Sequence, residues 1–266
     1  MARKNKKKTL GLALSAGGSR GVAHIGFLQA LEEAGLRPDF VSGCSMGSVV
    51  GSCYCMGMTP EQMHDEVKKL KIGDLFDLSI NPIGNGAFLN SRKLRNKMYS
   101  YLGDKKFDDL QIPFRAVATD LVSGEKIVFG GQDNLCLSVV ASSSMPAIFK
   151  PVRIKNMVLI DGGIRCRVPV EEVKDMGADV VVAVDALGNI QRVEKKFNLV
   201  SVLFRMVDIF DSQNTKFSIE KAGPDLLLAP DLGDMVQYKM KGMEEAFESG
   251  YKCGVENVPK IKELLK

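Results

Sequence analysis

Short apolar stretches and helix-compatible runs alternate along most of this chain, and that alternation restricts the fold more than any single residue does. Strand-like stretches fall near residues 9–15, 39–43, 113–120, 157–161, 179–185 and 225–229, with helical ones near 20–35, 46–57, 60–70, 91–102, 134–143, 197–221 and 235–252. Strands that alternate with helices return to one sheet in one direction. The pattern therefore predicts an α/β fold, a three-layer α/β/α sandwich whose central, mainly parallel sheet is covered by helices on both faces. With 266 residues and 45% hydrophobic content, the chain can bury a large core. There is no internal repeat and no long Pro- or Ser-rich linker, so residues 9–266 read as one domain behind a basic tail at 1–8.

Gly43-Cys44-Ser45-Met46-Gly47 is a G-x-S-x-G pentapeptide set between the apolar Phe40-Val41 and a helix-compatible run from Ser48 to Cys55. This is the strand-turn-helix setting of a nucleophile elbow, in which a serine at the tip of a strained turn leaves no room for a Cβ two residues before or after it. The hydroxyl then stands at a helix N-terminus, where backbone N–H groups favour developing negative charge. The plain alternative is a glycine-serine turn without chemistry, and the pentapeptide by itself does not separate the two.

A serine nucleophile needs a base, and the chain has only two histidines. His24 follows the first glycine-rich loop and His64 lies in the polar helical segment Glu61 to Glu66, so each reads as a surface or packed helix residue. A carboxylate is the better candidate. Three aspartates end apolar stretches: Asp120 after Phe114 to Thr119, Asp161 after Met157 to Ile160 and before Gly162-Gly163, and Asp185 after Val180 to Val184. Open α/β sheets gather their chemistry at the C-terminal ends of strands, where the elbow also lies. The residues alone do not choose among the three.

Ser15-Ala16-Gly17-Gly18-Ser19-Arg20-Gly21 follows the strand-like Leu10 to Leu14 and precedes the helical run from Val22 to Ala34. Glycines there bare consecutive amides at a helix start, as an oxyanion hole or a phosphate site requires. A dinucleotide-binding loop is the competing reading, with Asp39 at the distance of a ribose-binding acid, but Ala16 occupies the first glycine position and leaves that fingerprint incomplete.

Taken together, the chain resembles the patatin-like phospholipase family. The resemblance rests on Gly17-Gly18-Ser19-Arg20-Gly21, the Ser45 pentapeptide, Ala118-Thr119-Asp120-Leu121 with Gly124-Glu125, the segment from Ala141 to Phe149, and Asp161-Gly162-Gly163. In order and spacing these pieces cover most of residues 9 to 230. The resemblance implies a Ser-Asp dyad of Ser45 and Asp161, an oxyanion hole at the amides of Gly17 and Gly18, and no histidine in the chemistry. It also favours Asp161 over Asp120 and Asp185. Many family members carry Asn and Pro where this chain has Cys166 and Arg167, which bears on the loop behind the base; Asp161, Gly162, Gly163 and Pro169 are intact.

The implied function is a serine lipid acyl hydrolase of phospholipase A or lysophospholipase type, acting on a lipid ester or phospholipid through an acyl-serine intermediate. An unperturbed carboxylate titrates near about 4 and is a weak base, so transition-state stabilisation must carry much of the rate; one oxyanion donor is typically worth about a hundredfold to a thousandfold. Arg20, in the first turn after the glycine loop, suits either a lipid phosphate or a surface ion pair. Alternatives on the same residues are a short-chain esterase, a thioesterase, an acyltransferase, or a catalytically silent lipid-binding protein.

The remaining features bear on setting and partners. The basic start from Arg3 to Lys8 followed by Leu10 to Leu14 imitates a secretory signal, but its apolar core is too short and cleavage would remove the first strand. The uncharged run from Phe40 to Pro60 is long enough to span a bilayer, yet it is rich in Gly and Ser and contains the elbow, so it reads as a buried strand and helix. Six scattered cysteines lack metal-ligand spacing and fit a reduced cytoplasmic setting, and Cys44 reads as a small packing residue. No metal or other cofactor is expected. The net charge of +4 is an excess the tail alone can supply. That tail reads as a solvated end or as an anchor to anionic membrane at the inner membrane face. Nucleic-acid binding is not expected, because no basic or aromatic pattern continues into the domain. The run from Phe197 to Phe210 is apolar on more than one helical face and is expected to be mostly core, with part lining an acyl pocket or lid.

Overall fold

The computed structural model describes residues 7–70, 77–78, 87–187, 199–233, 235 and 241–266. Its centre is an eight-stranded sheet. Strands β1 (Leu10–Leu14), β2 (Phe40–Cys44), β5 (Phe114–Asp120), β10 (Val180–Val184) and β11 (Leu226–Leu228) run parallel in the order β11-β10-β1-β2-β5. Beyond β5 the direction reverses. Strands β6 (Lys126–Phe129) and β9 (Met157–Asp161) both pair antiparallel with β5, and β8 (Val152–Ile154) pairs antiparallel with β9. A second, three-stranded sheet joins β3 (Asp77–Leu78), β4 (Ala87–Asn90) and β7 (Ala147–Phe149).

The layering follows from the period-two alternation of the central strands. On β1 and β10, Leu10, Leu12, Leu14, Val180, Val182 and Val184 join the larger apolar cluster, while Ala13, Val181 and Ala183 join a separate one on the opposite face. The first face is covered by α1 (Ala23–Glu33), α2 (Met46–Cys55), α3 (Pro60–Lys69) and the long α8 (Met243–Leu264). The second is covered by α6 (Val170–Asp175) and the C-terminal part of α7 (Leu199–Ala222). Helices α4 (Arg92–Leu102) and α5 (Leu135–Ser142) pack on each other and extend the first layer. This is the three-layer sandwich expected from the sequence.

Three details go beyond the sequence expectation. The last helix runs to Leu264 rather than stopping near 252, passing through Gly250, Gly254 and Pro259. The glycines are tolerated because they are where α8 presses on α1: a Cβ at Gly250 would collide with the Ala23 carbonyl. Strands β6, β7 and β8 have only three or four residues each, too few for alternation to stand out. Finally, within the run from Phe197 to Phe210, which was expected to be mostly core, the described side chains of Val202, Met206, Ile209 and Phe210 on α7 are exposed. Phe197 and Asn198 lie outside the described residues.

Candidate active site

Ser45 occupies the single residue between β2 and α2, with φ 51° and ψ −122°, a left-handed backbone that non-glycine residues rarely adopt. The turn can be this tight because its flanking glycines carry no side chain. A Cβ at Gly43 would collide with the Gly47 carbonyl, and one at Gly47 with the carbonyls of Leu14 and Ser15 at the end of β1. The expected elbow is therefore present, seated against the mouth of the glycine loop. Phe40 to Pro60 forms the strand and helix expected of it, and no helix among the described residues is long and apolar enough to cross a membrane.

The Ser45 hydroxyl donates to Asp161 Oδ2 at 2.6 Å. Asp161 reaches the elbow because β9 runs against β5: Asp161 pairs with Ala118, one residue beyond the Val117 that pairs with Cys44. Its other oxygen accepts from the Gly163 amide at 2.8 Å and lies 3.9 Å from the Cys44 thiol. Burial pushes the Asp161 carboxyl up to about 6, against the opposing pull of the Ser45, Gly163 and Cys44 hydrogen bonds. The carboxylate is thus a stronger base than the unperturbed aspartate assumed from sequence.

The rival aspartates have other work. Asp120 closes its own turn, accepting from the Val122 and Ser123 amides, the Ser123 hydroxyl and the Val158 amide. Asp185 forms a buried ion pair with Arg167 at 2.7 Å. Neither imidazole faces Ser45. His24 is fully buried, its Nε2–H donates to the Ser15 carbonyl at 2.9 Å, and burial lowers its pKa to about 4 despite the Ser15 carbonyl and Asp185. His64 stacks on Phe247 at 3.5 Å between ring centroids and meets Glu244 at 3.0 Å.

Gly17 and Gly18 open the 3-10 turn Gly18–Val22, and among the described residues their amides donate to no protein acceptor. The two residues before them are tightly held. The Ala16 amide donates to the Arg167 carbonyl at 2.9 Å, and the Ser15 hydroxyl donates to the Ala16 carbonyl while accepting from the Ala186 amide. Arg20 was expected at a lipid phosphate or in a surface ion pair. Its guanidinium donates to the main-chain carbonyls of Leu187, Gly233 and Met235, so it fastens the loops after β10 and β11 to the glycine turn.

The departures from the family pattern fill the back of the site. Cys166 packs with Ala16, Cys44 and Val117 in a small apolar cluster behind the Ser45–Asp161 pair, and Arg167 ties the loop after Asp161 to the end of β10. Both are buried. Cys44 is the packing residue expected. Among the described residues, no three His, Cys, Asp or Glu side chains are grouped so as to hold a metal ion.

The sheet and the serine elbow at its parallel strand ends define an α/β protein with a strand-turn-helix elbow at the edge of its glycine loop. Residues 12–174 match the sequence model of the patatin-like phospholipase family, and the chain belongs to that family. It is 34% identical over 180 residues to an uncharacterized NTE family protein of Mycobacterium tuberculosis, covering 67% of this chain and 49% of that one. It is 28% identical over 188 residues to lysophospholipase nte1 of Aspergillus fumigatus, covering 70% of this chain and 12% of that one. The chain thus spans about half the length of its mycobacterial relatives and a small part of the fungal ones. Among solved structures, VipD from Legionella pneumophila shares the fold with a TM-score of 0.63 at 16% identity, over 96% of this chain and 67% of that one. ExoU of Pseudomonas aeruginosa, in complex with SpcU, does so at 0.51 and 17%, over 97% and 52%.

Proposed function

We propose that this chain is a serine lipid acyl hydrolase that works through Ser45 and Asp161, with residues 9–266 as one catalytic unit. The observation that carries the reading is the 2.6 Å hydrogen bond from a strained, elbow-held serine to a buried carboxylate whose pKa lies near about 6. In the first step Asp161 takes the Ser45 proton as Oγ attacks the ester carbonyl. The amides of Gly17 and Gly18 stabilise the oxyanion, and the protonated Asp161 returns its proton to the departing alcohol or lysolipid. In the second step Asp161 deprotonates water, which attacks the acyl-serine; fatty acid leaves and Ser45 regains its proton. A carboxylate with a pKa near neutrality is suited to both directions of transfer.

The name of the Aspergillus relatives favours lysophospholipid as the substrate class. A short-chain esterase, thioesterase or acyltransferase on the same residues, or a silent lipid-binding protein, predicts different outcomes in one experiment. Labelling with a fluorophosphonate, mass spectrometry of the adduct, and a substrate panel from short esters to lysophospholipids and diacyl phospholipids separate them. An adduct on Ser45 with preference for lysophospholipid supports the reading. An inert Ser45 in folded protein overturns it. The basic tail supplies a peripheral contact with anionic membrane, and deleting residues 1–8 tests this: salt-sensitive binding to anionic vesicles should fall while hydrolysis of a soluble ester stays.

A further inference from the structure

The run Ser142-Ser143-Ser144 ends α5 and reaches both halves of the candidate site, yet nothing in the proposed chemistry uses it. The Ser45 amide donates to Ser142 Oγ at 3.0 Å. The Ser143 hydroxyl donates to the Ser45 carbonyl at 3.2 Å. One residue on, the Ser144 carbonyl accepts the Asp161 amide at 2.9 Å, while the Ser144 hydroxyl is turned back onto the Val140 carbonyl at 2.7 Å. Ser142 and Ser144 are fully buried. Three consecutive residues therefore hold the main chain of the nucleophile on both sides and the main chain of the base.

This matters because the Ser45 backbone is strained. A non-glycine residue at φ 51° and ψ −122° is strained and persists only where its surroundings fix it. The Ser48 and Val49 amides and the Ser48 hydroxyl also hold the Ser45 carbonyl, but these come from the helix that the elbow itself starts. Restraint from a separate element comes from α5. We infer that Ser142 and Ser143 are positioning residues, which clamp the Ser45 main chain so that its hydroxyl stays on Asp161. The inference rests on the hydrolase reading above but assigns a function that reading does not require.

A clamp of this kind leaves a signature that plain packing does not. The groups facing the Asp161 carboxyl are the Ser45 hydroxyl, the Gly163 amide and the Cys44 thiol, and the Ser45 hydrogen bond pulls its pKa down. Releasing the clamp weakens that bond, so the midpoint of the activity profile moves upward as the rate falls.

The test measures the second-order rate of fluorophosphonate labelling at Ser45, and kcat and KM on a soluble ester, as functions of pH. The proteins are wild type, Ser142→Ala, Ser143→Ala and Ser143→Thr. A misplaced nucleophile typically costs about tenfold to a hundredfold. We expect Ser142→Ala to lose at least about tenfold in kcat and in labelling rate, with KM within about twofold and the acidic midpoint displaced upward. Ser143→Ala should lose less, and Ser143→Thr, which keeps the hydroxyl, should recover most of that loss. If Ser142→Ala does not fold, the partly exposed Ser143 pair decides alone. Wild-type rates and an unmoved midpoint in folded alanine variants overturn the clamp while leaving the hydrolase reading intact. Wild type that labels elsewhere or not at all overturns both.

Discussion

Asp120 and Asp161 end neighbouring strands of one sheet, within a few residues of each other in register, and they are put to opposite use. Asp120 pairs opposite Leu159 and Asp161 opposite Ala118. Burial pushes the Asp120 carboxyl up, but the Ser123 hydroxyl and the Val158, Val122 and Ser123 amides outweigh it, and the pKa falls below the ordinary value. Asp161 has fewer donors and stands behind Ser45, so burial prevails and the pKa rises to about 6. The difference is one of supply. A carboxylate surrounded by amides is fixed as an anion and serves the turn, whereas one short of donors stays a usable base.

The largest expected effect separates the two directly. Ser45→Ala and Asp161→Asn should each lower turnover by on the order of a thousandfold or more, and the double variant should be little worse than either, because residues acting as a unit are non-additive. Folded Asp120→Asn should still take a fluorophosphonate on Ser45. If Asp120→Asn is folded and inert while Asp161→Asn stays active, the assignment of the base is wrong. His64→Gln belongs beside these as a control, since its contacts are with Phe247 and Glu244; it should cost less than about tenfold.

A smaller effect follows from the raised pKa. The proposed base, Asp161, would act only when ionised, so kcat/KM on a soluble ester should rise with pH through about 6 and level off above it. Below the midpoint the rate should fall about tenfold per pH unit, or about a hundredfold over two units, in the wild type. A flat profile from pH 4.5 to 8, with chemistry shown to limit turnover, would remove Asp161 as the base.

The contrast between these aspartates also marks what the sequence conveys. The elbow was legible because its requirements, a strand, two glycines and a helix start, lie within a dozen adjacent residues. The sandwich was legible for the same reason, since parallel strands such as β1, β10 and β11 are short, nearly continuous apolar runs set between helical ones. The choice among Asp120, Asp161 and Asp185 was not legible from the residues, because it depends on β9 running antiparallel to β5 and on Arg167 pairing with Asp185 from another element. Only the family resemblance pointed to Asp161. The roles of Ser142 and Ser143 were hidden for a related reason: a serine run fits a helix end, a turn or a surface equally well, and only the approach of α5 to the elbow gives it partners.

The smallest effect is on stability, and its sign differs between the two carboxylates. The folded state binds the Asp161 proton more tightly than an unfolded chain, whose aspartate keeps the ordinary value of 3.8. Its contribution is therefore fully present below about pH 4 and is lost as pH rises through about 6. At higher pH the buried anion costs up to about 3 kcal/mol, taking about 1.4 kcal/mol for each pH unit between the two values. Asp161→Asn removes that charge, so the inactive variant should melt higher than wild type at pH 8, and the difference should shrink toward pH 4. Asp120 behaves in the opposite sense. Its folded-state pKa is lowered, so its contribution is present above the unfolded value and is lost as pH falls through the folded one. Asp120→Asn should accordingly melt lower than wild type at pH 8. Thermal melts of the three proteins at both pH values check the pair together. A destabilised Asp161→Asn at pH 8 would mean that the 2.6 Å Ser45 hydrogen bond outweighs the cost of burying the charge, making Asp161 a structural anion like Asp120.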